Sequence, residues 1–483
     1  MRALRVSRLG VFSRRLPALL LLALAGVVTT PSTARAHAHL RRSAPAAGST
    51  VVSPTAIRLW FSETPELALT RIIGADSTGA VVAIGAPELD PDGAMGVRVR
   101  IDSVLKAGRY TVRWSTAAAD GHPSSGTFTF RVAAASGPAS PMPGDTSDHL
   151  ATSAAGTPRP TRAARAPLAP PDVSSDTASA QPAAVVTRAV WLTVIVMLVG
   201  AVAFRLLVLA RTDAFDANGR SAAAAYLARG AMIVCALFLI AMVARLYLQT
   251  RLMAVQLAAS PTPVHSLLMD TGWGGVWRLQ LAAGILALFG LVAARRRLPV
   301  GWALAAFAAI LIAAGAALSG HAAASEHLRA FAVVDDTVHV IGAAGWLGGL
   351  FWVLVIGTTF PLEAGEEAAR RLASLVSAFS PVALWCSALV ALSGVASGWL
   401  RLGGVSALWT SSYGAVLLLK LALVAVAAGI GFFNWRRIRP VLGTDVATAR
   451  LRRSATMELA VGGAIVLMTA VLVGLPTPVP GVR

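Results

Sequence analysis

Cysteine is nearly missing from this sequence of 483 residues; only Cys235 and Cys386 occur. Both fall inside apolar runs, so no disulfide framework braces the chain and no CxxC pair is available for a metal or for redox chemistry. They read as packing residues. Lysine is nearly missing too, with Lys106 and Lys420 alone. Charged residues make up 13% of the chain against 56% hydrophobic ones, too little charge for a soluble protein of this length. No GxxxxGK[ST] stretch is present, so direct use of ATP through such a loop is excluded. The charge that remains is mostly arginine: Lys and Arg number 42, Asp and Glu 23, and the formal net charge is +19. Such a balance can serve nucleic acid. Here the arginines sit in short loops between apolar runs, where they orient membrane helices instead. The expected partner is the lipid bilayer, with no nucleic acid.

Residues 1–36 read as a signal peptide. Arg2, Arg5, Arg8, Arg14 and Arg15 open it, 16–28 form a short apolar core, and Ala34-x-Ala36 is a small-residue cleavage pattern. Cleavage after Ala36 makes His37 the first residue of the mature chain; an uncleaved anchor would leave no free amine there. Residues 37–133 read as a compact β domain. Ala56-Ile57-Arg58-Leu59-Trp60-Phe61, 108–115 and 126–132 alternate with period two and are rich in Thr, Val and aromatics, as half-buried strands do. Gly48-Ser49, Ser77-Thr78-Gly79 and Pro91-Asp92-Gly93 punctuate them as turns. Several short strands in about 100 residues suggest a β-sandwich or Greek-key barrel. Residues 134–187, rich in Ala, Pro, Ser and Thr, read as a linker. As a flexible coil it would span about 40 Å.

From 188 to 477 the chain reads as an all-α polytopic membrane domain, followed by a tail at 478–483. Eight apolar runs of spanning length fall near 189–210, 224–247, 276–294, 299–319, 336–357, 379–399, 413–433 and 456–475. An exported β domain makes the first helix run inward. The inner loops then hold Arg211, Arg220, Arg295, Arg296, Arg297, Arg370, Arg371 and a group from Arg436 to Arg453, whereas Arg251, Arg329 and Arg401 are the clear outer ones. This bias supports both the count and a plasma-membrane protein with its N-terminal domain extracytoplasmic.

Three places in the β domain carry metal-type side chains: the His37 start, Glu63 just past a strand, and Asp120-Gly121-His122 between two strands. Gly121 allows a sharp turn that lets Asp120 and His122 converge. An amine, two imidazoles and a carboxylate form an N,O set that suits Cu(II) better than Cu(I). These residues also carry a resemblance. His37-Ala38-His39-Leu40, Ser43-x-Pro45-x-x-Gly48, Phe61-Ser62-Glu63 and Ala119-Asp120-Gly121-His122-Pro123-x-Ser125-Gly126-x-Phe128-x-Phe130 resemble the CopC family of periplasmic copper-binding proteins over residues 37–132. The resemblance implies a cupredoxin-like β-barrel with a Cu(II) site. Its ligands would be His37, through amine and imidazole, with Asp120 and His122; Glu63 is similar to a carboxylate near the site. His39 belongs to the opening motif without being a ligand. Met95 and, in the linker, Met142 are too few for a separate Cu(I) site.

Polar residues at the rims of spans are costly and so informative. His321 ends the fourth span, Glu326 and His327 lie in the next loop, and Asp335, Asp336 and His339 open the fifth, with Asp336 and His339 on one helix face. This cluster reads either as interfacial capping or as a copper path through His321, His327, Asp336 and His339 that faces the tethered donor. His265 with Met253 and Met269 forms a secondary contact. Lys420 has no local partner, while Gly345, Gly348, Gly349, Ser393-Gly394 and Ser397-Gly398 read as helix-packing positions. Trp273-Gly274-x-x-Trp277-Arg278, Ser319-Gly320-His321-Ala322, Asp336-x-x-His339, Gly345-Trp346-x-Gly348-Gly349-Leu350, Phe379-Ser380, and Tyr413-Gly414-x-x-Leu417-Leu418-x-Lys420 with Asn434 resemble the CopD membrane proteins over about 190–475. That resemblance implies copper movement across the inner membrane, in company with other copper-handling proteins. The expectation is a non-enzymatic copper-handling membrane protein with copper, as Cu(II) in the exported domain, and no catalytic residues. The alternatives are a haem-bearing membrane redox protein and an extracytoplasmic copper buffer that transports nothing.

Overall fold

The structure is a computed structural model that describes residues 40–93, 95–118, 121–134, 182–258, 261–320, 328–360, 366–438, 445–475 and 477–478. Eight strands come first: β1 (Leu40–Ala44), β2 (Thr50–Val51), β3 (Ala56–Phe61), β4 (Arg71–Asp76), β5 (Glu88–Leu89), β6 (Gly96–Arg100), β7 (Gly108–Ala117) and β8 (Pro123–Val132). They form two four-stranded sheets, ordered β1-β3-β6-β5 and β2-β8-β7-β4. Period-two alternation sends Ile57, Leu59 and Phe61 of β3 inward to meet Val97, Val99, Val112 and Trp114 from both sheets. Phe61 and Trp114 meet edge to face at 5.2 Å, and Tyr110 stacks on Phe130 at 5.6 Å. Each such side chain, fully buried, contributes about 1.5–3 kcal/mol.

Eight helices long and apolar enough to cross a membrane follow: α1 (Pro182–Leu209), α2 (Ala217–Leu252), α3 (Gly272–Arg295), α4 (Val300–Leu318), α5 (Arg329–Thr359), α6 (Glu367–Leu402), α7 (Ser412–Ile438) and α8 (Thr448–Leu472). Their number agrees with the hydropathy of the sequence. The first begins at Pro182, before the expected end of the linker, because Ala183, Ala184, Val185 and Val186 continue the helical turn and proline is tolerated at a helix start. Short polar side chains start three spans: Asp216, Thr271 and Ser411 accept from the backbone N–H groups of Gly219, Gly274 and Gly414. Helix α1 is central and packs against α2, α4, α5 and α8. It meets α5 at closest approach, where a Cβ on Gly200 would stand 2.6 Å from the Cα of Gly348. Exposed Ile233, Ile240, Phe289, Leu392, Val395 and Phe432 line the outside of the bundle, as a lipid-facing surface requires. Within three spans the helix widens to a π turn: 204–209 in α1, 344–348 in α5 and 434–438 in α7.

Candidate functional site

One end of the sandwich gathers the described candidate ligands of the β domain. Strands β7 and β8 pair up to Ala117 and Pro123, and Ala118 N–H donates to the His122 carbonyl at 3.0 Å. Gly121 donates to the Ala118 carbonyl at 2.8 Å with φ +85°, a left-handed conformation that glycine adopts at little cost. This tight turn holds His122 at 7% exposure. After β3 the chain runs beside the same turn. Pro65 bridges to Ala118, and Glu66 N–H donates to the Ala117 carbonyl at 2.8 Å, so Glu63 belongs to this end. Leu40, the first described residue, pairs with Phe61, so the chain enters β1 here too. His37 and Asp120 lie outside the described residues. Among the described residues no group of three or more His, Cys, Asp or Glu is close enough to hold a metal.

The same end is seated on the helical domain. Gln249, in the last turn of α2, donates from Nε2 to the Gly121 carbonyl at 2.6 Å. The Trp273 ring covers Gly121 so closely that a Cβ there would lie 2.6 Å from Cδ1. Gly272, at the start of α3, donates its N–H to Glu66 Oε1 at 3.0 Å. Arg71 Nε donates to the Gln256 carbonyl at 2.9 Å, and Gln256 Nε2 reaches the Thr116 carbonyl at 3.4 Å. Leu69 and Ala117 join the helical core. Burial in this junction raises the Glu66 carboxyl above the ordinary glutamate range, and the bond from Gly272 opposes the rise. Beneath Trp273, the Arg245 guanidinium stacks on Trp191 at 3.8 Å and donates to Gln280 Oε1 at 3.3 Å.

The second cluster lies between α5, α6 and α7. Asp336 forms an ion pair with Arg401, which also bonds the Tyr413 hydroxyl. Ser397 Oγ stands 2.7 Å from Asp335 Oδ2 and 2.9 Å from Asp336 Oδ1. His339 Nδ1 lies 2.9 Å from Ser393 Oγ, which gives its own hydrogen to the Leu389 carbonyl at 2.6 Å. In the tautomer protonated at Nδ1, His339 donates to Ser393 and Nε2 keeps its lone pair. Lys420 is within electrostatic reach of Asp336, Arg401 and His339 across helices, with Asp336 as the one of opposite charge. Ser393 and Ser397, expected as packing positions, are instead members of this polar network, because helix α6 turns them toward α5. His321 and His327 lie outside the described residues. In the loop after α2, Met253 is buried in the helical core, Met269 accepts from Arg278 at 2.9 Å, and His265 is exposed.

Several residues here escaped sequence reasoning: Glu66, Gln249, Arg245 and Glu458. For Glu458 a signal existed, a lone carboxylate within an apolar run. Glu66 and Gln249 carry none, since their partners are 206 and 128 residues away.

Known proteins resemble the chain along most of its length. The CopC domain model matches residues 40–133, the model for the copper resistance protein D-like N-terminal domain matches 178–331, and that for copper resistance protein D matches 373–472. The copper transport protein CutJ of Bacillus subtilis is 26% identical over 465 residues, which covers 94% of this chain and 76% of CutJ. Protein YobA of Escherichia coli is 39% identical over 110 residues, 22% of this chain and 85% of YobA. Copper resistance protein D of Pseudomonas syringae is 26% identical over 214 residues, 42% of this chain and 67% of that protein. With a two-sheet domain in front, eight spans behind and matching models on each, the chain belongs to the copper resistance proteins, as a CopC domain fused to a CopD membrane domain.

Proposed function

We propose that the protein captures copper on its extracytoplasmic β domain and passes it to the helical domain for conduction across the plasma membrane. His37, through amine and imidazole, with Asp120 and His122 are the ligands, and Glu63 supplies a nearby carboxylate. Nitrogen and oxygen donors without sulfur favour Cu(II). One observation carries this proposal: the end of the sandwich that bears His122 and Glu63 is the end bound to α2 and α3, through Gln249, Trp273 and Gly272. A donor site that merely stored copper would gain nothing from facing the membrane domain.

The route onward runs sideways. Helix α4 packs along α3, with Gly315 against Gln280. The chain therefore leaves α4 close to the docked β domain, and the segment after it carries His321 and His327. His339 Nε2 and the Asp335–Asp336 pair follow at the start of α5.

N-terminal sequencing of the mature protein, combined with copper stoichiometry, tests the capture site. The expected result is a chain that begins at His37 and holds one copper, which His122→Ala loses. Copper uptake into cells tests the route: His321→Ala lowers it at unchanged protein level. Unchanged uptake would leave a copper buffer.

A further inference from the structure

Among the described residues, Glu458 is a buried carboxylate within a span that the copper route does not use. It lies in the middle of α8 and is 5% exposed. Oε1 accepts from Trp346 Nε1 at 3.0 Å and Oε2 from Asn434 Nδ2 at 3.3 Å. Gly431 leaves the space beside it; a Cβ there would stand 3.3 Å from Oε1. Both donors are neutral, and both sit in π-helical segments, Trp346 in 344–348 of α5 and Asn434 at the head of 434–438 of α7. Widened turns of this kind recur at functional sites because they re-aim a side chain that a regular helix would point elsewhere. Two separate helices are thus locally widened to reach one carboxyl.

No cation forms an ion pair with Glu458 among the described residues. On α7, Lys420 precedes Gly431 by eleven residues, about 16 Å of helix, and Tyr413 bonds Arg401. Arg436 and Arg437 are exposed beyond Asn434. On α5, Asp335, Asp336 and His339 engage Ser397, Arg401 and Ser393. On α6, Arg371 donates to the Phe360 carbonyl, and Glu367, Arg370 and Cys386 make no bond to Glu458. On α1, Arg188 donates to the Ala470 carbonyl, and Arg205 stacks on Trp302. Arg450, Arg452 and Arg453 precede Glu458 on α8 itself, at least one turn away.

A buried carboxylate without a counter-charge is costly, and a neutral acid far less so. The neighbours suit either form. As a carboxylate, Glu458 accepts from Trp346 and from the Asn434 amide N–H, which leaves Asn434 Oδ1 buried without a hydrogen bond. As an acid, it keeps the Trp346 bond and donates its own O–H to Oδ1 once the amide turns over. The donor set is oxygen with amide, without thioether, thiolate or imidazole, which suits a proton and not Cu(I).

We propose that Glu458 is a proton-exchanging site of the membrane domain, with Asn434 as the two-way partner that serves both of its forms. The proton binds at Oε2 and returns to water at the arginine-rich end, beyond Asn434. This site stands independently of the copper route.

Infrared difference spectra of the full chain in phosphatidylcholine vesicles, taken between alkaline and acidic buffer without copper, test it. The expected result is a carboxylic-acid carbonyl band in the wild type that loses one group's amplitude in Glu458→Gln. That variant keeps the acceptor for Trp346 but cannot ionise. Equal amplitude in both would overturn the proposal. Should Glu458→Gln fail to assemble, Asn434→Leu keeps the carboxyl and removes its partner. A shift in the frequency of the band, or in the pH at which it appears, is then expected, and an unmoved band overturns the proposal.

Discussion

At the scale of the residue, Gly121 and Glu66 do the joining. Gly121 combines a left-handed backbone with the Trp273 ring at contact distance. Gly121→Ala therefore meets two penalties, about 1–2 kcal/mol for the backbone and a clash with the ring. The β domain is expected to lift from α3, seen as faster hydrogen exchange in 66–71 and 249–256. Glu66 introduces pH. Its proton is held more tightly when the domain is docked, because burial disfavours the charge. Docking is then tightest below the ordinary glutamate range, weakens as pH rises through the raised value, and is level above it. Glu66→Gln retains an oxygen for Gly272 and buries no charge, so protection from hydrogen exchange at the junction, relative to the intrinsic rate, should rise at neutral pH and lose its dependence on pH. His122 was legible in the sequence because its neighbours Asp120 and Gly121 are adjacent to it. Glu66 was not, because the N–H that makes it matter belongs to a helix 206 residues further on.

At the scale of the element, helices α5 and α6 are held by charge as well as by shape. Asp336 meets Arg401, Ser397 lies between two carboxylates with a single hydrogen to give, and His339 leans on Ser393. Arg401→Ala would leave the half-buried Asp336 without its cation, which should appear as a lower melting temperature in detergent. Removal of the anion and the cation together, in Asp336→Asn with Arg401→Gln, should cost less than the single change, since neither member of the pair is left without the other. Close helix approach matters equally. A side chain at Gly348 would run into the Val196 carbonyl of α1, so Gly348→Leu is expected to reduce the amount of folded protein in membranes. The glycines around Trp346 were legible as packing positions from their spacing. Ser393 and Ser397 carried the same signal but serve as hydrogen-bond partners, since spacing alone does not reveal what stands opposite a helix face.

At the scale of the whole molecule, a soluble-type sandwich is seated on a bundle of eight spans. The tether alone would raise the β domain to millimolar local concentration at the membrane, yet specific bonds also fix which end faces the bundle. Trp273→Ala should leave copper affinity of the exported domain unchanged and reduce cellular uptake, a pair of measurements that separates capture from delivery. The amino-acid sequence by itself determined the alternating strands and the number of spans, because periodicity and hydropathy are local properties of a chain. Only the tertiary structure decided that the His122 end of the sandwich is the docked end, that Arg401 meets Asp336 across helices, and that Trp346 and Asn434 converge on Glu458. Each of these rests on hydrogen bonds or fields that act over a few ångströms between residues tens to hundreds of positions apart, and such proximity exists only once the chain has folded.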